Sequence, residues 1–149
     1  MANTYLKTEE EQKNQHAACE VLIIGGGAAG IGVAASLLKR QSNLNITIIE
    51  PSENHYYQPA WTLVGGGAFN SKDTVRPMKS VIPNGVTWIK ATAEKVEPEQ
   101  NQVQLSDGKS INYEQLIVSP GLRLAWEKIE GLIEIKPMIH LGSEVIFTN

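Results

Sequence analysis

The sequence predicts an α/β fold, in which a βαβ unit of a parallel sheet is joined to an antiparallel β-meander. Three observations predict it. The apolar run Val21-Leu22-Ile23-Ile24 stops at the turn Gly25-Gly26-Gly27, and a segment of small residues follows. A second apolar run, Ile46-Thr47-Ile48-Ile49, ends at Glu50. Further on, alternating runs at Ala93 to Val96 and Val103 to Leu105 pass through Ser106-Asp107-Gly108-Lys109 into Ser110 to Tyr113. Alternation broken by a glycine turn reads as antiparallel strands.

Each element follows in order. Residues 1–18 are polar and read as a disordered lead-in. They hold no apolar core for a secretion signal, and Glu9, Glu10 and Glu11 argue against an acid-poor transit peptide. The strand that ends at Ile24 needs a sharp exit, which Gly25 permits. Ala28, Ile31, Ala34, Leu37 and Leu38 then recur at helical spacing, and Lys39 and Arg40 sit in the last turn, where they complement the helix dipole. A strand, a GxGxxG turn, a helix and a strand ending in an acid make the layout of a dinucleotide-binding unit. Gly27 leaves room for a pyrophosphate to approach the backbone, and Gly30 lets the helix pack close to the sheet. The helix start at Ala28 and Ala29 offers free N–H groups. Glu50 can accept hydrogen bonds from both ribose hydroxyls and would repel a 2′-phosphate; a solvated strand-end carboxylate is the competing reading.

Pro51 to Asn54 reads as a loop. Pro59 opens a short helix that Gly65-Gly66-Gly67 ends. Val75 to Val81 is a second short amphipathic segment, and Val86 to Ile89 a strand. Gln115 to Val118 reads as a buried strand that delivers Ser119-Pro120-Gly121 to the carboxyl edge of the sheet. Ligands of open α/β sheets bind at that edge; a plain turn is the alternative.

Bulk properties remove several classes. The chain has 149 residues, the size of one domain. A net charge of −3 without a basic run excludes a nucleic-acid partner. No apolar stretch is long enough to span a bilayer. One cysteine, Cys19, excludes an internal disulfide framework and fits a reducing compartment. His16, His55 and His140 lack a metal-ligand spacing, so no metal site is expected. The expected location is cytoplasmic or peripheral to the inner membrane.

Two stretches carry a resemblance. The run from His55-Tyr56-Tyr57-Gln58-Pro59-Ala60-Trp61 to Gly67, and Tyr113 to Gly121 followed by Trp126 to Leu132, resemble sulfide:quinone oxidoreductases of the mitochondrial-like type. That family lies in the FAD-dependent pyridine nucleotide-disulfide oxidoreductase-like superfamily. The resemblance covers about Cys19 to Leu132 and implies a Rossmann-like FAD-binding half-domain over 19–132. It implies that Gly25, Gly27 and Gly30 hold the FAD pyrophosphate and Glu50 the adenosine ribose. Ala93 would meet the adenine through its backbone. Gln58, Pro59 and Trp61 would lie near the isoalloxazine ring, with Ser119, Pro120 and Gly121 on its other flank. Such proteins usually show Ala-Thr-Gly where this chain has Ser119-Pro120-Gly121, and the proline removes one backbone N–H.

The implied activity passes electrons from sulfide through the flavin to quinone, and it uses two cysteines that meet at the flavin. This chain has Cys19 alone. Cys19 precedes the glycine turn by roughly 20 Å of strand, at about 3.3 Å per residue, so no catalytic residue is assigned. Residues 133–149 are expected to be an atypical, truncated segment, in which Gly142 to Asn149 resembles a strand lying later in the family. Membrane association is then expected only through the missing C-terminal region. A homo-oligomer or a complementing chain that brings the thiols is the expected partner. On this reading the isolated chain holds FAD weakly or not at all and is inactive. A non-catalytic dinucleotide-binding fragment or subunit-docking module is the alternative. A generic NAD-dependent dehydrogenase would give His55 to Gly67 no role.

Overall fold

The computed structural model describes residues 17–123, 125, 128–130, 138–141 and 144–147. Strand β1 (Ala17–Ile24) runs through the glycine turn into helix α1 (Ala28–Arg40), which returns to β2 (Ile46–Ile49). An excursion follows: β3 (Asn54–Tyr56), a 3-10 turn at Gln58–Ala60, helix α2 (Trp61–Gly65), β4 (Val75–Pro77) and helix α3 (Met78–Val81). The chain then rejoins the sheet at β5 (Val86–Ile89) and forms β6 (Ala93–Glu97), β7 (Gln102–Leu105) and β8 (Ser110–Val118). Strands β9 (Met138–Leu141) and β10 (Glu144–Phe147) pair antiparallel, with Glu144 opposite Leu141.

The main sheet has the order β5-β2-β1-β8-β7-β6. Its first four strands are parallel: Ile46 faces both Val21 and Val86, and Val21 also faces Gln115. Strands β7 and β6 continue it antiparallel, with Val103 opposite Ile111 and Val96 opposite Val103. Successive strand residues point to opposite faces, and the two faces find different partners. Val21, Ile23, Ile46 and Ile48 pack with Ala34, Leu37 and Leu38 of α1. Leu22 and Ile49 pack with Val103, Leu105, Ile111 and Tyr113 of the meander. The sheet thus has one core with α1 and a second with the residues of its own antiparallel end. All four residues of β2 are buried, as a strand covered on both faces requires.

The expected fold class, α/β with a parallel sheet and an antiparallel β-meander, is the fold observed. Four details differ from the sequence reading. The strands read at Ser110 to Tyr113 and Gln115 to Val118 are one continuous strand, β8, because its backbone pairs with β1 without a break in register. Its end is not buried: Val118 is 60% exposed. Strand β7 pairs with β8 from Ser110 to Asn112, so among the described residues the last part of β8 has a paired neighbour on the β1 side alone. The amphipathic segment Val75 to Val81 is split, with a strand up to Pro77 and a helical turn after it. Strand β1 also begins at Ala17, because Ala17 and Ala18 lie opposite Ile111 and Asn112 of the long β8. The polar lead-in up to residue 16, His16, Trp126 and residues 131–137 lie outside the described residues.

Candidate functional site

The first wall of the site is the glycine turn at the carboxyl end of β1. Gly25 has φ +104°, a conformation that side chains disfavour. A Cβ there would stand 2.1 Å from the Ser119 carbonyl oxygen. The turn is wedged between two strand ends: Gly25 N–H donates to the Ile49 carbonyl at 2.9 Å, and Ser119 N–H donates to the Ile24 carbonyl at 2.8 Å. A Cβ on Gly30 would lie 2.0 Å from the Gly25 carbonyl oxygen, so the first turn of α1 rests directly on the glycine turn. Gly27 differs, since a Cβ there would meet nothing within 4 Å. It is the N-cap of α1, no side chain caps the helix, and no acid occupies its first turn. The first N–H groups of a helix have no intrahelical acceptor. Gly27, Ala28 and Ala29 are exposed and leave that end open.

Glu50 stands beside the turn. Its Oε2 accepts the Gly26 N–H at 2.8 Å, and its Oε1 accepts the Ser52 N–H at 2.8 Å. Its own carbonyl accepts the Trp88 Nε1–H at 2.8 Å. The acid is therefore fixed against the turn from two sides. Gly26 is obligatory as well, because a Cβ there would approach the Glu50 Cγ to 2.7 Å.

The opposite wall comes from the excursion. His55 Nδ1–H donates to the Gly26 carbonyl at 3.3 Å. Tyr57 N–H donates to the carbonyl of Thr74 at 2.8 Å, and Trp61 Nε1–H to the Thr74 hydroxyl at 3.3 Å, which ties the start of α2 to the buried Thr74. Ser119, Pro120 and Gly121 close the third side. Together these walls border an open cleft of about 900 Å³, within the usual range for small-molecule and cofactor sites.

Of the residues picked from the sequence, Gly27, Ala28, Ala29, Glu50, Gln58, Pro59, Ser119, Pro120 and Gly121 all line this cleft. Gly25 and Gly30 are buried behind its surface as spacers. Ala93 is not among the lining residues; it starts β6 and packs on the meander-side core. Trp61 is likewise absent from the lining and bonds Thr74 instead. The sequence reading assigned no role to Gly26, Ser52, Asn54, Met78 or Leu122, which also line the cleft. Ser52 is the one with a local reason, since a backbone N–H two residues after an acid can reach that acid's carboxylate. Met78 is brought in by its N–H bond to the Glu53 carbonyl at 2.7 Å, which no local pattern announces.

Charge outside the cleft is simple. A hydrogen bond from the Lys90 ammonium to Glu53 holds that carboxyl below its ordinary range, and Lys109 does the same for Asp107. Cys19 is buried on β1, with its thiol 3.7 Å from the Asn112 carbonyl, and burial pushes that thiol up. Among the described residues no cluster of His, Cys, Asp and Glu could hold a metal ion. Among them, too, no helix is long and apolar enough to cross a membrane.

Comparison with known proteins places this geometry. The family model described as pyridine nucleotide-disulphide oxidoreductase matches residues 19–145. The chain is 46% identical over 145 residues to the mitochondrial sulfide:quinone oxidoreductase of Dictyostelium discoideum, covering 97% of this chain and 31% of that protein. It is 47% identical over 124 residues to the mitochondrial sulfide:quinone oxidoreductase of Mus musculus, covering 83% of this chain and 28% of that one. The chain thus spans less than a third of the length of these relatives. The crystal structure of the sulfide:quinone oxidoreductase from Aquifex aeolicus superposes with a TM-score of 0.62 at 27% identity, over 74% of this chain and 25% of that one. The NADH:rubredoxin oxidoreductase of Clostridium acetobutylicum gives 0.55 at 26%, over 70% and 28%.

Proposed function

The chain belongs to the pyridine nucleotide-disulphide oxidoreductase family, whose model matches residues 19–145, and it is similar over 145 residues to a sulfide:quinone oxidoreductase; from that premise we propose that the cleft seats FAD. One observation carries the reading. The open end of α1, the Glu50 carboxylate and the Ser119–Gly121 turn come from distant parts of the sequence and converge on a single cleft. The cradle fits a nucleoside diphosphate. Gly25, Gly26 and Gly30 are places where a Cβ would collide, whereas Gly27 faces open space. The uncapped helix end supplies donors and a positive dipole end to a pyrophosphate.

On this reading Gly27, Ala28 and Ala29 receive the diphosphate. Each Glu50 oxygen accepts one backbone N–H and keeps a lone pair for a ribose hydroxyl. The same negative charge disfavours a 2′-phosphate. Gln58 and Pro59 on one side and Ser119 to Gly121 on the other border the isoalloxazine. When bound, FAD supplies a ring that takes up and releases two electrons. The relatives' names support sulfide as donor and quinone as acceptor, and those of the Dictyostelium and mouse proteins a mitochondrial place. Ala93, expected to meet the adenine, lies off the cleft lining, on the meander-side core.

A second reading, a dinucleotide-holding module without turnover, is favoured by Cys19. That thiol is buried in the core behind the sheet, so it does not offer a nucleophile to the cleft. Thiols for sulfide oxidation would then have to be supplied from elsewhere than Cys19, as by a complementing chain.

The test is a fluorescence titration of FAD with the purified chain, in competition with ADP and with its 2′-phosphorylated analogue. Weak but saturable quenching, reversed by ADP and far less by the analogue, is expected. An absence of saturable quenching up to millimolar protein would overturn the assignment. Sulfide-dependent quinone reduction, measured with and without an added dithiol-bearing partner, separates the enzyme from the module.

A further inference from the structure

Gly26 is held at both ends. Its N–H is taken by the Glu50 carboxylate at 2.8 Å, and its carbonyl by His55 Nδ1 at 3.3 Å. A carbonyl only accepts, so this bond puts the ring proton on Nδ1. The second bond matters more than its length suggests. The Gly26 carbonyl and the Gly27 N–H share one peptide plane and, in a trans peptide, point in opposite directions. Whatever holds that carbonyl therefore aims the Gly27 N–H. The plane lies between two glycines, the residues with the widest backbone freedom, and Gly27 has open space around it. Nothing local would stop this peptide from turning over.

His55 is itself anchored. It lies on β3, where Asn54, His55 and Tyr56 pair with Pro77, Arg76 and Val75 of β4. The Ser52 hydroxyl donates to the Asn54 carbonyl at 2.7 Å, and Met78 N–H donates to the Glu53 carbonyl at 2.7 Å. The ring is thus carried by a braced ribbon across the cleft from the turn it holds.

We propose that His55 is a positioning residue for the diphosphate site: with Glu50 it clamps Gly26 and so sets the direction in which the Gly27 N–H is presented. The inference rests on the dinucleotide reading for its purpose, but the clamp can be measured without any ligand. His55→Phe keeps a ring and removes the donor; His55→Asn keeps a donor near the Nδ1 position. Amide exchange at Gly26, whose N–H is bonded to Glu50, read by NMR on the labelled full chain, is expected to speed up about tenfold in H55F, the worth of one net hydrogen bond, and ADP affinity to fall by a similar factor. H55N restores both, while the melting temperature of all three proteins stays close. Unchanged exchange in H55F, or H55N behaving like H55F, overturns the clamp. If the parent chain takes no ADP while H55F still speeds exchange, the clamp stands and the dinucleotide reading falls. If ADP binds the parent and H55F alike with unchanged exchange, the clamp falls and the reading stands.

Discussion

At the scale of single residues, the glycines of one turn have separable duties. Gly25 and Gly30 are spacers pressed against backbone, at 2.1 Å from the Ser119 oxygen and 2.0 Å from the Gly25 oxygen for an added Cβ. Gly25→Ala and Gly30→Ala are each expected to cost at least about 2 kcal/mol in urea denaturation, as overpacking and backbone strain do. Gly27→Ala meets open space, so its stability should stay within about 0.5 kcal/mol of the parent. FAD and ADP affinity should nonetheless drop, because the methyl group stands where the diphosphate would approach. A Gly27→Ala protein that binds ADP as the parent does would contradict the site. Cys19 provides a pH test. Burial raises its thiol above the ordinary value of 9.0, against opposing hydrogen bonds from Thr47. The folded chain therefore keeps the thiol proton to higher pH than the unfolded chain. That contribution is whole below the ordinary thiol pKa and is lost as pH climbs through the raised one. The stability difference between the parent and Cys19→Ala should be flat below about pH 8 and decline above about pH 9. Gly25, Gly27, Gly30 and Glu50 were legible because spacing alone assigns them. Gly26 and His55 were not, because their roles exist only after β2 and β3 have been brought beside the turn.

At the scale of elements, the period of the apolar residues revealed α1, β2 and β5, and Gly108 with φ +81° makes the hairpin turn that its sequence signals. The join within β8 was hidden. Glu114 and Gln115 interrupt the apolar run, yet pairing with β1 is made by the backbone and is indifferent to side chains. The split at Pro77 followed from a ring that cannot donate, a local rule that the amphipathic pattern masked. Two substitutions in β8 should show how unevenly it is embedded. Ile111→Ala, at a residue 2% exposed, should cost about 2–4 kcal/mol, whereas Val118→Thr, at 60% exposure, should change stability by less than about 0.5 kcal/mol. Native-state hydrogen exchange should find the slowest amides in β1, β2 and β8, and faster ones in the short β3–β4 ribbon.

At the scale of the whole molecule, the order of strands could not be read from the chain, since β1 takes its neighbours from residues 46–49 and 110–118. The half-domain as a unit was legible through the resemblance, and the cleft through the rule that ligands gather at the carboxyl edge of a parallel sheet. Ligand linkage tests that edge globally. ADP at about a hundred times its dissociation constant should add about 2.7 kcal/mol to stability, visible as a raised melting temperature. The seating of β8 against β1 sets a further expectation. The Ser119 hydroxyl reaches the Ile24 carbonyl across 95 positions of sequence, so the third wall of the cleft exists only when that distant pair has met. Contacts of such separation close slowly. In a refolding experiment, competence to capture nucleotide should return with the slowest phase and never ahead of it, making occupancy a clock for the last step of assembly.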